Sequence, residues 1–174
     1  PFRQLYIAEK TGRVWKHKGL MDGPFNKEGY HCGNGAYSVD GNRFYFTRCK
    51  KQSDNKIICA VYVSRLENGV WQEPESLGKE VNDPQYTTTQ PSIAFDNKKK
   101  TDIVYFVSNR PKGRGGLDIW YTKYDSKTKE YITPMNAGSK INTAGDEYTP
   151  FYDSDLSTMY FSSDGWPGLG GLDI

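Results

Sequence analysis

An all-β fold is predicted from three observations: the residue types, the density of turn formers and a pattern that recurs along the chain. Thirteen Tyr and eight Phe are many for 174 residues, and flat or β-branched side chains pack well on a pleated sheet. Eighteen Gly and nine Pro imply frequent turns, because Gly reaches positive φ freely and Pro presets a negative one. The length suits one domain of ordinary size.

The recurrence is the strongest of the three. Three aromatic strands align: Phe44-Tyr45-Phe46-Thr47-Arg48, Val104-Tyr105-Phe106-Val107-Ser108-Asn109-Arg110 and Met159-Tyr160-Phe161-Ser162-Ser163-Asp164. Their tyrosines Tyr45, Tyr105 and Tyr160 stand 60 and 55 positions apart. A second strand precedes each: Gly35-Ala36-Tyr37-Ser38-Val39-Asp40, Pro91-Ser92-Ile93-Ala94-Phe95-Asp96 and Pro150-Phe151-Tyr152-Asp153-Ser154-Asp155. Each ends in Asp and enters a polar turn, and Asp40-Gly41-Asn42 supplies the positive φ angles that tight hairpins require.

A third strand opens at Gly115-Gly116-Leu117-Asp118-Ile119 and again at Gly170-Gly171-Leu172-Asp173-Ile174. In the first repeat Ile58-Cys59-Ala60-Val61-Tyr62-Val63 takes that place. A fourth strand is predicted at Asn68–Pro74 and at Lys129–Pro134, each followed by Leu/Ala-Gly-x-x-Val/Ile-Asn ending at Asn82 or Asn142. A partial earlier copy reads at Gln4–Ala8 and Arg13–Lys16.

Each repeat therefore holds four short strands. One four-stranded sheet cannot bury both faces alone, whereas sheets set radially around a channel bury them against neighbours. The prediction is a β-propeller fragment of four-stranded antiparallel blades. Residues 1–30 close one blade, 31–85 and 86–147 form two more, and 148–174 begin another. Propellers usually close with four or more blades, and the chain starts at Pro1 without Met, so a piece of a longer protein is expected.

The order Pro, Asp, Tyr-Phe-x-Ser-x-Arg, Gly-Gly-Leu-Asp-Ile resembles the TolB-type, WD-like propeller repeat. With Leu-Gly-x-x-Val/Ile-Asn between blades, it looks most like envelope proteins of Bacteroidota, whose propeller often precedes an OmpA-like peptidoglycan-binding domain. One such protein is a periplasmic outer-membrane lipoprotein of the type IX secretion and gliding machinery. The resemblance implies a protein-binding scaffold in the periplasm, associated with the outer membrane, with protein partners and peptidoglycan reached through a further domain. The first blade departs from the pattern: Thr47-Arg48-Cys49 replaces Ser-x-Arg, and no Gly-Gly-Leu-Asp follows.

Chemistry finds little purchase. The loop Pro111–Gly116 lacks Gly-Lys-Ser/Thr and opens no helix, as a phosphate cradle would require. Asp118 and Asp173 recur but lack the Asp-x-Asp-x-Asp spacing of a calcium loop, and are expected to accept backbone N–H bonds from the preceding loop. Arg110 is expected to pair with such an Asp. His17 and His31 sit in no nucleophile or zinc motif. No metal, no cofactor and no catalytic residue is expected, and the chain is expected not to be an enzyme. Trp166, in a Gly/Pro loop, joins Arg110 and Arg114 as the candidate partner-binding residues, since aromatics and Arg on loops frequently anchor interfaces.

Of the three cysteines, Cys49 and Cys59 bracket a polar turn and can face each other across a hairpin. A disulfide there and a reduced, buried pair are both compatible with the sequence, the first requiring an oxidising compartment. With 23 basic and 21 acidic residues the charge favours neither nucleic acid nor a membrane surface. The Asn97–Lys100 run reads as a solvated hairpin tip. No apolar run reaches the roughly 18 residues that span a bilayer. Two other functions fit the repeat: the propeller of a prolyl-oligopeptidase-type peptidase, and glycan binding in the channel. The latter would place aromatic side chains on the first strands. Tyr37 and Tyr152 suit it, and Ile93 does not.

Overall fold

The computed structural model describes residues 2–125 and 127–174, and every regular element among them is a β-strand. A first hairpin pairs β1 (Tyr6–Thr11) with β2 (Val14–Leu20). The next sheet runs β3 (His31–Tyr37), β4 (Arg43–Lys51), β5 (Ile57–Glu67) and β6 (Val70–Trp71), with β7 (Glu75–Ser76) also on β5. A second sheet repeats it with β8 (Thr88–Asp96), β9 (Thr101–Ser108), β10 (Asp118–Asp125), β11 (Glu130–Tyr131) and β12 (Met135–Asn136). The last pair is β13 (Glu147–Asp153) and β14 (Thr158–Ser163), where an antiparallel bridge from Ser163 to Asp173 opens a third strand. All pairings are antiparallel. The architecture is a β-propeller fragment.

Two elements differ from expectation. The fourth strand of each blade is broken in two, because Pro74 and Pro134 have no N–H for the ladder. Before the break, Gln72 and Ile132 each donate a last backbone N–H, to Arg65 and Lys123. The first strands also begin earlier than Gly35, Pro91 and Pro150. Each carries a bulge that masks its period-2 pattern, with the register shifting between Gly33 and Gly35, Thr89 and Ser92, and Tyr148 and Phe151.

Alternation along β4 explains the packing. Tyr45 points into a core shared with the second blade, made with Val61, Val63, Leu77, Val81, Val104, Phe106 and Trp120. Phe44 and Phe46 point the other way, to Met21 and Phe25 beside the first hairpin. Successive side chains on a strand face opposite sides, so both faces of the blade are covered. That is why β4 reads as a continuous apolar run. Gly35 is required here: a Cβ would stand 2.2 Å from the Phe44 ring.

The recurring Asn between blades has a specific task. Val61 donates its N–H to Asn82 Oδ1, and Asn82 Nδ2 donates back to the Val61 carbonyl, at 2.9 and 2.7 Å. Asn142 does the same for Ile119, both bonds 2.8 Å. Asn26 does it for Leu5, at 2.7 and 3.0 Å. A side-chain amide thus substitutes for a neighbouring strand at one point of the edge and satisfies a buried peptide unit. Asn26 extends the repeat into the partial N-terminal copy.

A polar latch joins the two complete blades. Arg43 Nε and Nη2 donate to Asp102, at 2.6 and 3.2 Å. Tyr45 Oη donates to the same carboxylate at 2.7 Å, and Tyr131 Oη donates to Tyr45 Oη at 3.2 Å. Burial pushes the Tyr131 hydroxyl up to about 12 and that of Tyr45 well above its ordinary value. The folded protein therefore retains protons that the unfolded chain loses near pH ~10. Stability is fully present below about pH 10 and falls as pH rises toward about 12. Thermal unfolding across that window is expected to show the loss, and Tyr131→Phe to shrink it; an unchanged slope in the variant would refute the assignment.

Candidate functional site

The first strands β3, β8 and β13 lie side by side, and their bulges repeat. At the equivalent bulge position Asn34, Gln90 and Thr149 take φ of 48°, 54° and 48°. Non-glycine residues in this left-handed region are uncommon and store strain, of order 1–3 kcal/mol each. Here the second and third bulges are each tied to the preceding blade. Gln90 donates its N–H to Thr47 Oγ1 at 3.0 Å, and Thr149 donates its own to Gln90 Oε1 at 2.7 Å. Tyr152 N–H likewise reaches Ser92 Oγ at 2.9 Å.

These strands border an open cleft of about 470 Å³. Its walls carry Asn34, Gln90, Thr149, Tyr37, Phe151 and Tyr152, and no charged side chain lines it. Tyr37 is 51% exposed and Phe151 60%. The Tyr37 ring is propped by Phe44, 4.6 Å away between centroids, and by Trp71 at 6.0 Å. Burial raises its hydroxyl above the ordinary phenol value. Tyr152 stacks on Tyr105 of the preceding blade, 5.9 Å apart and 18° from parallel. Ile93, at the place equivalent to Tyr37 and Tyr152, is 6% exposed and belongs to the interblade core.

The structure places Arg110 and Trp166 within one recurring arrangement and Arg114 beside it. Arg110 donates to the carbonyls of Glu80 and Val81 and to Thr88 Oγ1 and Ser108 Oγ. Its guanidinium lies 5.0 Å over the Phe106 ring and 5.5 Å over Trp120. Burial brings its pKa down to about 10. In the first blade Arg48 does this work, donating to the Pro24 and Phe25 carbonyls and lying 5.1 Å over Phe46. In the third, Trp166 Nε1 donates to the Ile141 carbonyl at 2.9 Å. Phe25, Val81 and Ile141 each precede the strand-mimicking Asn, so these three donors close the same interblade loop. Arg114 Nε donates to the Asn142 carbonyl at 3.1 Å.

The expected Arg110–Asp pair does not form: Arg110 bonds to carbonyls and hydroxyls, because Asp118 is engaged by its own loop. Asp118 accepts from the N–H groups of Arg114 and Gly115, at 2.6 and 3.3 Å, and Asp173 from Gly170 at 3.2 Å. Burial nonetheless raises the Asp118 pKa. Among the described residues no group of three or more His, Cys, Asp or Glu is placed to hold a metal ion. Cys49 and Cys59 are direct partners on β4 and β5 and form a disulfide, while Cys32 is buried and unpaired.

Sequence reasoning missed Glu147, which is fully buried and accepts from Thr143 N–H, Thr143 Oγ1 and Ser163 Oγ, at 3.1, 2.6 and 2.8 Å. It also missed the bulge residues Asn34, Gln90 and Thr149. The polar residue before each Pro or Gly-Ala start was their only trace.

No protein-family model matches the chain, and no curated protein matches its sequence. Two solved structures share its fold. One is the endo-arabinase of Bacteroides thetaiotaomicron VPI-5482, with a TM-score of 0.55 and 16% identity over 84% of this chain. The other is a puromycin-hydrolyzing peptidase of Mycobacterium tuberculosis, with a TM-score of 0.52 and 14% identity over 97% of this chain. The chain spans 56% of the first protein's length and 28% of the second's. Likeness at these identities establishes the fold alone. The expectation of a non-enzyme is corrected by these matches, since both are structures of enzymes.

Proposed function

We propose that this chain is the propeller module of a glycan-processing hydrolase, and that its channel cleft holds a neutral stretch of the polysaccharide. The observation that carries this is the composition of the cleft: exposed aromatic rings beside amides and hydroxyls, with no charge. Ligand sites are typically concave, with apolar walls and a few placed polar groups. Aromatic faces suit the C–H faces of sugar rings, and Asn34, Gln90 and Thr149 suit their hydroxyls. The shared fold of an arabinan-acting enzyme supports the same substrate class. No Asp, Glu or His lines the cleft, and the role proposed for the module is to hold and orient the chain, which lowers the entropic part of the barrier.

Calorimetric titration with neutral oligosaccharides is expected to show binding. Tyr37→Ala and Phe151→Ala are each expected to weaken it about tenfold, ~1.4 kcal/mol. Both residues are half exposed, so the fold should survive. Absence of binding at millimolar sugar would overturn the proposal. The second candidate, a peptidase propeller, is supported by the 97% of the chain that superposes on the Mycobacterium tuberculosis peptidase; it predicts binding of peptides and none of sugars. The proposed setting is the bacterial periplasm at the outer membrane, in an envelope assembly. The Cys49–Cys59 disulfide supports it, because such bonds persist in oxidising compartments.

A further inference from the structure

A second cleft, of about 290 Å³, adjoins the first across the bulges, sharing Asn34 and Gln90 with it. It lies toward the N-terminal ends of the first strands, where Arg3, His31, Thr47 and the Cys49–Cys59 disulfide form its walls. The two clefts differ in charge. The first has no ionic group, whereas the second has Arg3, with His31 beside it, and no Asp or Glu.

The basic residues are positioned by backbone pairing. Cys32 donates its N–H to the Arg3 carbonyl at 2.9 Å, and Arg3 donates its own to His31 Nδ1 at 3.1 Å. Arg3 is thereby anchored beside β3 with its side chain exposed. With Nδ1 accepting, the imidazole carries its proton on Nε2, which is left to donate. Phe2 packs edge-on against the His31 ring, centroids 5.3 Å apart. One further cation continues β4 beyond the disulfide on the face of Thr47 and Cys49: Lys51, opposite Ile57, itself in the cleft wall. The carboxylate at this tip, Asp54, is engaged by Lys56 at 3.1 Å. This end of the first strands is thus a concave, cationic, donor-rich surface with no acid in its wall.

We propose that the second cleft is an anion subsite that receives the carboxylate of a uronate residue, while the neutral sugars of the same chain occupy the first cleft. The preferred ligand is then an acidic oligosaccharide carrying its charge at one end or on a branch. Arg3 supplies the planar fork that matches a carboxylate, His31 and Thr47 supply further donors, and Lys51 draws the anion in. The inference rests on the glycan function proposed above, and its test separates the two.

The test compares aldotriouronic acid (a glucuronate on xylobiose) with xylotriose, two trisaccharides of similar size that differ in one acidic sugar, titrated into the purified full-length protein at low and high salt. The acidic sugar is expected to bind about tenfold tighter at low salt, with the preference shrinking as salt screens it. Arg3→Ala is expected to lower the acidic sugar to the affinity of xylotriose without moving xylotriose. Arg3→Lys, which keeps the charge and loses the fork, is expected to restore part of the preference. Arg3 is exposed, and an unchanged melting temperature excludes misfolding as the cause. Equal affinity for the two sugars, or a preference that survives Arg3→Ala, overturns the anion subsite and leaves the glycan function standing. Absence of binding by either sugar overturns both.

Discussion

Asp102→Ala is expected to destabilise the protein by about 3 kcal/mol, measured as a fall in the urea midpoint at unchanged m. The Asp102 side chain is 3% exposed and carries three donors: two from Arg43 and the hydroxyl of Tyr45. Removing one partner of a buried pair strands the other, a loss of about 3–5 kcal/mol. The lower end applies because the Arg43 side chain is 24% exposed and recovers some solvation. Asp102→Asn should lose less, since it keeps an acceptor for Tyr45. A double-mutant cycle with Arg43→Met isolates the pair, and a coupling below about 0.5 kcal/mol would show that the two residues act independently. Both participating strands belong to different blades, so the cycle reads the interblade junction rather than either sheet.

Glu147→Ala is expected to have a comparable effect, about 3–5 kcal/mol, but a local one. Glu147 is completely buried and is the common acceptor for Thr143 N–H, Thr143 Oγ1 and Ser163 Oγ. Each stranded buried donor costs about 1–3 kcal/mol, and the truncated side chain leaves a cavity besides. The hairpin it anchors, β13–β14, has only two strands and leans on its neighbour through Thr149 N–H, Tyr152 N–H and the Tyr105–Tyr152 stack. Thin elements of this kind open before the whole molecule does. Amide exchange should therefore accelerate across residues 147–163 while β4 and β9 stay protected. Uniform acceleration would mean instead that the hairpin unfolds only with the rest. Because Thr149, Phe151 and Tyr152 border the channel cleft, the same variant should weaken ligand binding without touching the ligand.

The repeat also shows why a residue that stands out in the sequence need not face a partner. Arg110 and Trp166 attract notice as large side chains in Gly/Pro loops. Arg48, which lacks the surrounding motif, does not. The structure makes them equivalent, each donating to the carbonyl that precedes the strand-mimicking Asn. The bulge residues that border the cleft, Asn34, Gln90 and Thr149, are quieter in the sequence, because a bulge interrupts the alternation by which strand faces are recognised.

The all-β class, the propeller repeat and most strand cores were legible from residue order, because alternation, aromatic content and turn chemistry are local signals that survive without coordinates. Val104–Ser108 and Phe44–Arg48 read as strands for that reason, and the hairpin turns followed from Asp-Gly and Asn-rich stretches. Asn82 and Asn142 were visible as recurring residues but not as strand mimics, since their partners lie about twenty residues away in sequence. The Arg43–Asp102–Tyr45–Tyr131 latch, the burial of Glu147 and the juxtaposition of an uncharged cleft with a cationic one were decided by tertiary structure. Each depends on which faces of separate blades meet, and that is set by the summed twist and packing of whole sheets, a quantity no local stretch of sequence encodes.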